Sequence, residues 1–313
     1  MILEPTNRQY EAHYHLLYEN EQHIAGYWLN CTSGTNNPLY LTVYGSINIM
    51  ADNIMCTLVF TEPGVTLQDW ISPNVVDQYY HSLTDTFRIM LVDIMQFIIS
   101  NDSVYGNISS TNIYVAGNRI KFLKMCRLTN NVSQFVNMIR SFFPQAIHSE
   151  LDVFLNYIEI NHENWPIIKQ SIKHPLLKSA QERMNYRLVD GNYVKEQPTA
   201  TQTSVENGLV AKVSNWINEV AQAPQTHQGY VDCYQAMHFL TLQKFKNKVP
   251  LGLEAKPIGY SQSAVDFIRF NRNVAAHQNM CTKEIDSALN SYAPNFLAHL
   301  FEVLAPFAPP SVR

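Results

Sequence analysis

The sequence predicts an α+β fold, with an α+β unit over residues 1–178 followed by an all-α unit over residues 179–313. The chain has 313 residues, of which 46% are hydrophobic, and that is enough for the cores of two compact units. Short apolar runs separated by turn sequences end near residue 123, whereas apolar side chains recur at helical spacing from residue 132 onwards. Strands early in the chain and helices late are typical of this arrangement.

The first part of the chain is expected to mix helices and strands. The spacing of apolar residues predicts an amphipathic helix over residues 9–27. Apolar runs bounded by turn sequences predict strands over residues 39–43 and 55–60. Apolar side chains at helical spacing then predict a long buried helix over residues 76–100.

The middle of the chain is expected to change from strands to helices. Two short apolar segments, 112–115 and 119–123, flank the turn Ala116-Gly117-Asn118 and predict a hairpin. Helices are expected over residues 132–173, and the polar run 193–204 is expected to be a loop. Everything after that run is expected to be helical with short connections.

The cysteines and the N-terminus favour a reducing compartment. The sequence contains five widely spaced cysteines with no C-x-x-C pair: Cys31, Cys56, Cys126, Cys233 and Cys281. Neither a disulfide framework nor a zinc site follows from that spacing, and no metal or cofactor is expected. The N-terminus lacks the pattern of a signal peptide, and the longest apolar run is interrupted by Asp93 and Gln96. We therefore expect a cytoplasmic protein with no membrane partner.

Basic residues are concentrated in the second part of the chain, although the formal net charge is −4. Six of them occur between residues 244 and 272, opposed only by Glu254 and Asp266: Lys244, Lys246, Lys248, Lys256, Arg269 and Arg272. Such a local excess suits a phosphate-bearing partner. We predict that the four lysines and Arg269 bind RNA, although charge alone favours a solvated helix face.

Three segments, in the right order, resemble a protein kinase. They are CTLVFT at 56–61, TLQDW at 66–70, and YGNI at 105–108 followed by NI at 112–113. The first two are similar to the hinge strand and next helix of the kinase/endoribonucleases of the unfolded protein response and RNase L. The third has the frame of the kinase catalytic loop. The resemblance implies a truncated protein-kinase-like fold.

The residues needed for phosphotransfer are missing from that frame. Asn107 stands where the loop aspartate would receive a proton, and Lys124 stands where an aspartate would bind magnesium. No lysine precedes Lys121, and no glycine-rich phosphate loop is present. Asn112 remains but needs no catalytic role. The fold implied is therefore a pseudokinase, without kinase activity and without expected nucleotide binding.

The second unit resembles the all-α KEN-type ribonuclease domain of the same family. The turn HPLL at 174–177 is similar to the junction that leads into that domain, and SAVDFIRFNRNVAAH at 263–277 is similar to its active-site helix. Four residues fall at the positions of the family's site: Asp266, Arg272, Asn273 and His277. Tyr260 is the candidate for a tyrosine that assists in that site.

The resemblance implies a role for each of these residues in cleaving RNA without a metal. His277 can be the acid for the leaving 5′-oxygen, because imidazole titrates near neutrality. Arg272 offers a planar fork to the phosphate, and Asn273 adds a neutral donor. Asp266 would orient Arg272 or its neighbours. At helical spacing Asp266, Asn273 and His277 share one face.

Each of these residues also has a structural interpretation. His277 could be a surface histidine, Asp266 and Arg272 an ion pair, and Asn273 a capping residue. Trp216 is expected to be a core tryptophan. The run YAPNFLAH at 292–299 resembles the family's closing helix, on which His299 is expected to pack in the core.

The function implied by the resemblance is a metal-independent endoribonuclease. It would cleave single-stranded or loop RNA to a 2′,3′-cyclic phosphate and a 5′-hydroxyl, and it would act as a homodimer. The alternative is a non-enzymatic pseudokinase regulator that binds a related nuclease or an RNA.

Overall fold

The structure is a computed structural model that describes residues 13–17, 41–51, 54–80, 82–100, 108–110, 112–122, 131–143, 148–224, 228–234, 260–277, 282–307 and 309. The chain divides into two compact units. The first consists of Met1–Val75, Thr86–Ile147 and Ile158–Lys169, and the second of Val76–Asp85, His148–Tyr157 and Gln170–Arg313. Helices with small sheets confirm the α+β class. The predicted domain boundary between residues 178 and 179 stays a prediction.

The first unit contains a three-stranded antiparallel sheet in the order β1-β3-β2. Its strands are β1 His13–Leu17, β2 Val43–Ala51 and β3 Ile54–Thr61. The predicted strand over 55–60 is confirmed as β3, whereas the strand expected over 39–43 begins only at Val43. The helix expected over 9–27 is wrong at residues 13–17. There the backbone pairs with β3 along its whole length, and this pairing satisfies its polar backbone groups. The weak helical spacing of apolar residues did not indicate that pairing.

A second small sheet confirms the predicted hairpin. Strands β7 Ile113–Ala116 and β8 Arg119–Phe122 pair antiparallel, and β4 Val65–Thr66 joins them in the order β4-β7-β8. Gly117 takes a φ of +62°, a left-handed conformation that suits glycine in the hairpin turn. The arrangement therefore follows from the turn chemistry of the sequence.

The helices of the first unit are α1 Leu67–Asn74, α2 Asp85–Ser100 and α3 Asn131–Ser141, with the first residue of α2 belonging to the second unit. The buried helix expected over 76–100 begins only at Asp85. Before it, β5 Val76–Asp77 and β6 Ser82–Leu83 pair as a short ribbon. The Asp77 carboxylate accepts hydrogen bonds from the backbone N–H groups of Tyr79 and Tyr80. These bonds stabilise a turn here in place of the expected helix.

Helices make up most of the second unit. The helices between residues 149 and 307 are α4 Ser149–Ile160, α5 Trp165–Ser171, α6 Ala180–Glu196, α7 Thr199–Leu209, α8 Trp216–Gln222, a helical segment over 228–234, α9 Ala264–His277, α10 Thr282–Tyr292 and α11 Phe296–Leu304. Parts of α4 and α5 belong to the first unit. Short 3₁₀ turns occur at Pro175–Leu177, Val210–Lys212 and Ala305–Phe307. The described part of residues 179–313 contains no strand, as predicted.

The loop expected over residues 193–204 is wrong. Helix α6 continues to Glu196 and α7 begins at Thr199, so only two residues interrupt the helices. Pro198 accounts for the break, because it has no N–H group with which to continue α6. It is the N-cap of α7, and its carbonyl accepts from the N–H groups of Thr201 and Gln202. The polar residues of this run lie on the outer face of α7, and Val205 and Leu209 are buried. The polar residues were therefore interpreted as a loop, although they form the exposed side of an amphipathic helix.

The core of the second unit packs around aromatic rings. Trp216, Phe267, Phe270 and Phe301 are all fully buried. The Trp216 ring lies 5.1 Å from the Phe267 ring and 5.0 Å from the Phe270 ring, measured between centroids. Trp216 is thus a core residue, as expected. His299 is partly buried, with Nδ1 3.5 Å from a carboxylate oxygen of Glu302, one turn further along α11.

Among the helices in the described ranges, none is long and apolar enough to cross a membrane.

Gly229 marks a close approach between two helical segments. A Cβ atom added there would lie 2.3 Å from the Glu284 carbonyl oxygen, which belongs to a helix backbone and has no room to retreat. Gly229→Ala is therefore expected to lower the free energy of unfolding by roughly 1–3 kcal/mol, measured as a shift of the urea midpoint.

Gly208→Ala provides the matched control for this prediction. A Cβ atom there meets a Val303 methyl group at 2.8 Å, and a side chain can rotate away. Since alanine also favours a helix by about 1 kcal/mol over glycine, this variant is expected to unfold close to the wild type. Equal losses in the two variants would contradict the close approach at Gly229.

Candidate functional site

Helix α9 carries most of the predicted site, and its start is held from another helix. The Glu206 carboxylate of α7 accepts hydrogen bonds from the N–H groups of Ala264, at 3.0 Å, and Val265, at 2.9 Å. The Ser263 hydroxyl accepts from the N–H of Asp266 at 3.1 Å. A negative charge at these free N–H groups is favourable, because the N-terminus of a helix is partially positive. Glu206 thereby fixes where α9 begins.

One face of α9 is buried and the neighbouring face carries the polar residues. Phe267, Phe270 and Val274 are fully buried at helical spacing. The predicted site residues Asp266, Arg269, Arg272 and Asn273 are only partly buried. The hydrophobic period of the helix thus directs the polar groups towards its accessible side.

Three of the predicted residues form one hydrogen-bonded chain. The Asn273 side-chain amide donates to the Tyr260 hydroxyl oxygen at 2.9 Å. The Arg272 guanidinium donates to the Asn273 amide oxygen, and its other terminal nitrogen lies 3.4 Å from the Asn192 amide oxygen of α6. Asn273 is therefore held between a phenol and a cation. The catalytic roles predicted for these residues stay predictions.

Asp266 contacts Ser261, before the helix, and Arg269, a neighbour of Arg272 on α9. Its carboxylate accepts from the backbone N–H of Ser261 at 2.6 Å and from the Ser261 hydroxyl at 2.7 Å. It also lies 3.2 Å from the Arg269 guanidinium, one turn further along α9. Asp266 therefore ties the segment before the helix to the helix itself, and it orients Arg269.

The Tyr260 ring is enclosed by a cation and two core rings. The Arg269 guanidinium lies 4.7 Å from the ring centroid. Trp216 and Phe270 meet the ring edge-on at 5.6 Å and 5.8 Å. Burial raises the pKa of Tyr260, and the Asn273 hydrogen bond and the charges of Arg269 and Arg272 offset part of that rise. Tyr260 is therefore a protonated phenol at neutral pH.

His277 is the last residue of α9, and its side chain lies outside the described residues. Helical geometry places its backbone one turn after Asn273. Asn107, Lys124 and the predicted RNA-binding residues Lys244, Lys246, Lys248 and Lys256 also lie outside them. Asn112 is buried, and its backbone N–H donates to the Ser109 carbonyl at 3.0 Å.

Two residues of α6 that sequence reasoning missed hold Arg272. Asn192 accepts from its guanidinium, and Gly191 lets the two helices approach closely, since a Cβ atom there would lie 2.7 Å from the Arg272 Cβ. A glycine in the middle of a helix is a signal of close approach, and it was present in the sequence. Nothing in the sequence indicated which residue would approach it.

A buried ionic network lies beneath α9. Arg183 of α6 pairs with Glu150 of α4 and, at 2.8 Å, with Asp286 of α10. Arg187 donates to Asp286 and, at 3.0 Å, to the Asn271 amide oxygen of α9. Burial alone would lower the pKa of Arg183, but the two carboxylates raise it above its ordinary value. Two cations and two anions therefore balance in the core.

The described residues contain no group of three or more His, Cys, Asp or Glu side chains that could hold a metal ion. Cys56 and Cys233 are buried thiols. Burial raises the pKa of Cys233 to about 12, so this thiol is not poised as a nucleophile. The groups described at the accessible side of α9 are two guanidinium groups, a carboxylate, an amide and the Tyr260 phenol.

Comparisons with known proteins give only a distant structural likeness. No protein-family model matches the chain, and no curated protein matches it. The structure is similar to that of the Neurospora crassa PAN3 pseudokinase, with 13% identity and a TM-score of 0.39 over 80% of this chain and 71% of that one. A mutant of the same pseudokinase gives 12% identity and a TM-score of 0.34 over 90% and 82%. Both TM-scores lie below 0.5, so the likeness does not identify the fold of this chain.

Removing one carboxylate should unbalance the buried network. In Asp286→Asn the two buried arginines keep only Glu150 as an anionic partner in the network, so we expect a loss of roughly 3–5 kcal/mol in the free energy of unfolding. The measurement is urea denaturation of the full chain.

Asp85→Asn is the matched control, because Asp85 pairs with Lys283 at 3.1 Å and both side chains are nearly half exposed. An exposed pair contributes less than about 1 kcal/mol. A loss in Asp286→Asn no larger than that of the control would show that the buried network does not stabilise the fold.

Proposed function

We propose that the chain is a metal-independent endoribonuclease whose site is built on α9. The observation that carries the proposal is the hydrogen-bonded chain from Arg272 through Asn273 to Tyr260. It sets a cation, a neutral donor and a titratable hydroxyl side by side. His277 follows on the same helix, one turn after Asn273.

These groups suit in-line cleavage by the neighbouring 2′-hydroxyl of the RNA. The 2′-oxygen attacks the phosphorus, the bond to the 5′-oxygen breaks, and a 2′,3′-cyclic phosphate forms. In the proposal the 2′-hydroxyl proton passes to a water molecule, the neutral Tyr260 phenol donates a hydrogen bond to a phosphate oxygen, and His277 supplies a proton to the leaving 5′-oxygen. Arg272 stabilises the charge that develops on the phosphorane oxygens, since its guanidinium is planar and permanently charged.

The substrate class follows from the geometry of this reaction. The 2′-oxygen must line up with the leaving oxygen, and stacking in an A-form helix prevents that alignment. The proposed substrate is therefore single-stranded or loop RNA in the cytoplasm. The proposed active form is a homodimer, with a pseudokinase part that does not transfer phosphate.

The test is cleavage of a labelled stem-loop RNA by the purified full chain in the presence of a chelator. The wild type is expected to cut in the loop and leave 2′,3′-cyclic phosphate ends. His277→Ala is expected to lose roughly 10²–10⁴-fold in rate, because it removes a general acid.

His299→Ala serves as the matched control, since His299 is a partly exposed histidine of the same unit beside Glu302. It is expected to cleave at the wild-type rate. Equal loss in both histidine variants, or cleavage that stops when metal is removed, would contradict the proposal. Tight RNA binding without cleavage by the wild type would instead favour the non-enzymatic regulator.

A further inference from the structure

We propose that Arg269 is a positioning residue, whose guanidinium, held by Asp266, fixes the Tyr260 phenol against α9 at the point where it meets Asn273. The proposal deepens the proposed nuclease function and takes its significance from it. Its geometry, however, concerns only residues of this chain and is measurable without RNA.

The first observation is the stacking of the cation on the phenol ring. The Arg269 guanidinium lies 4.7 Å from the Tyr260 ring centroid, within the range of a cation–π interaction. The Arg269 side chain is 41% exposed, so solvent reaches one side of it while the ring covers another. A planar guanidinium suits this contact because it can lie against an aromatic face.

The second observation is that Asp266 holds both partners. Its carboxylate lies 3.2 Å from the Arg269 guanidinium and accepts two hydrogen bonds from Ser261, the residue that follows Tyr260. One side chain thus fixes the backbone next to the phenol and the cation that covers the phenol. The contact with Ser261 restricts the backbone beside Tyr260, and the contact with Arg269 restricts the Tyr260 ring.

The third observation is the position of the Tyr260 hydroxyl group. The Tyr260 oxygen accepts from Asn273 at 2.9 Å, and Trp216 contacts the ring edge from the core. A ring enclosed on these sides keeps its oxygen at Asn273. Among the described residues, the partly exposed Arg269 lies against the ring, and Trp216 and Phe270 contact it from the core.

The charges around Tyr260 change the pKa of its phenol in a direction that their signs determine. Among the described residues, Arg269, Arg272 and Asp266 are the charged groups that act on the phenol, and all three belong to α9. A nearby cation favours the phenolate, so Arg269 opposes the effect of burial. Removing it should raise the pH at which Tyr260 ionises and should free the ring.

The experiment follows the ionisation of Tyr260 by NMR in full-length protein carrying ¹³Cζ-labelled tyrosine. The Tyr260 signal is assigned by its loss in Tyr260→Phe. In Arg269→Gln the titration midpoint is expected to rise by roughly half a pH unit, a threefold lower ionisation constant, as a cation–π contact of this exposure implies. Arg269→Lys keeps the charge and is expected to recover part of the shift.

Lys283→Gln is the matched control, because it removes an exposed, ion-paired cation of the same unit that does not contact Tyr260. Its Tyr260 midpoint is expected to equal that of the wild type. An unchanged midpoint in Arg269→Gln would overturn the proposal.

RNA cleavage separates positioning from substrate contact. Positioning predicts that Arg269→Gln lowers kcat, with KM nearly unchanged, and moves the alkaline limit of the pH profile upwards. A higher KM with an unshifted Tyr260 signal would overturn the proposal and make Arg269 an RNA contact. If the wild type does not cleave RNA at all, the proposed function fails, while the shift of the Tyr260 signal still decides the role of Arg269.

Discussion

The second unit depends on two buried arginines. Arg183 and Arg187 project from α6 and together bind Glu150, Asp286 and Asn271, which belong to three other helices. Charges without partners would be very unfavourable in this core, so the helices can pack only where every partner is in place. Because Asn271 belongs to α9, the same requirement sets the position of the helix that carries Arg272 and Asn273. Helix α9 therefore belongs both to the buried ionic network, through Asn271, and to the candidate site, through Arg272 and Asn273.

The candidate site is held at the start of α9 and again at Arg272. Glu206 binds the first N–H groups of α9, and Asp266 binds the segment that leads into it. Gly191 lets α6 approach Arg272 closely, and Asn192 supplies an acceptor for its guanidinium. Groups that act on a phosphate must be positioned before the substrate binds, since ordering mobile side chains on binding lowers the affinity. These contacts provide that order for Arg272, Asn273 and Tyr260.

The features that could be predicted from the sequence are those set by local spacing. Asn273 follows Arg272 on a helix with a clear hydrophobic period, so their place on one accessible side followed from that period. The hairpin at Gly117 followed from turn chemistry. Strand β1 could not be predicted, because its conformation is set by pairing with β3 about forty residues later in the chain. The contacts of Asp266 with Ser261 could not be predicted, since Ser261 lies before the helix, where helical spacing does not apply.

We propose that Tyr260 and Asn273 act as one unit in cleaving RNA. A double-mutant cycle measures this directly, with kcat/KM determined for Tyr260→Phe, Asn273→Ala and the double variant on one stem-loop RNA. If the two side chains work through their shared hydrogen bond, the double variant is expected to be no slower than the slower single variant. Losses that add in full, or rates equal to the wild type in all three, would contradict the account.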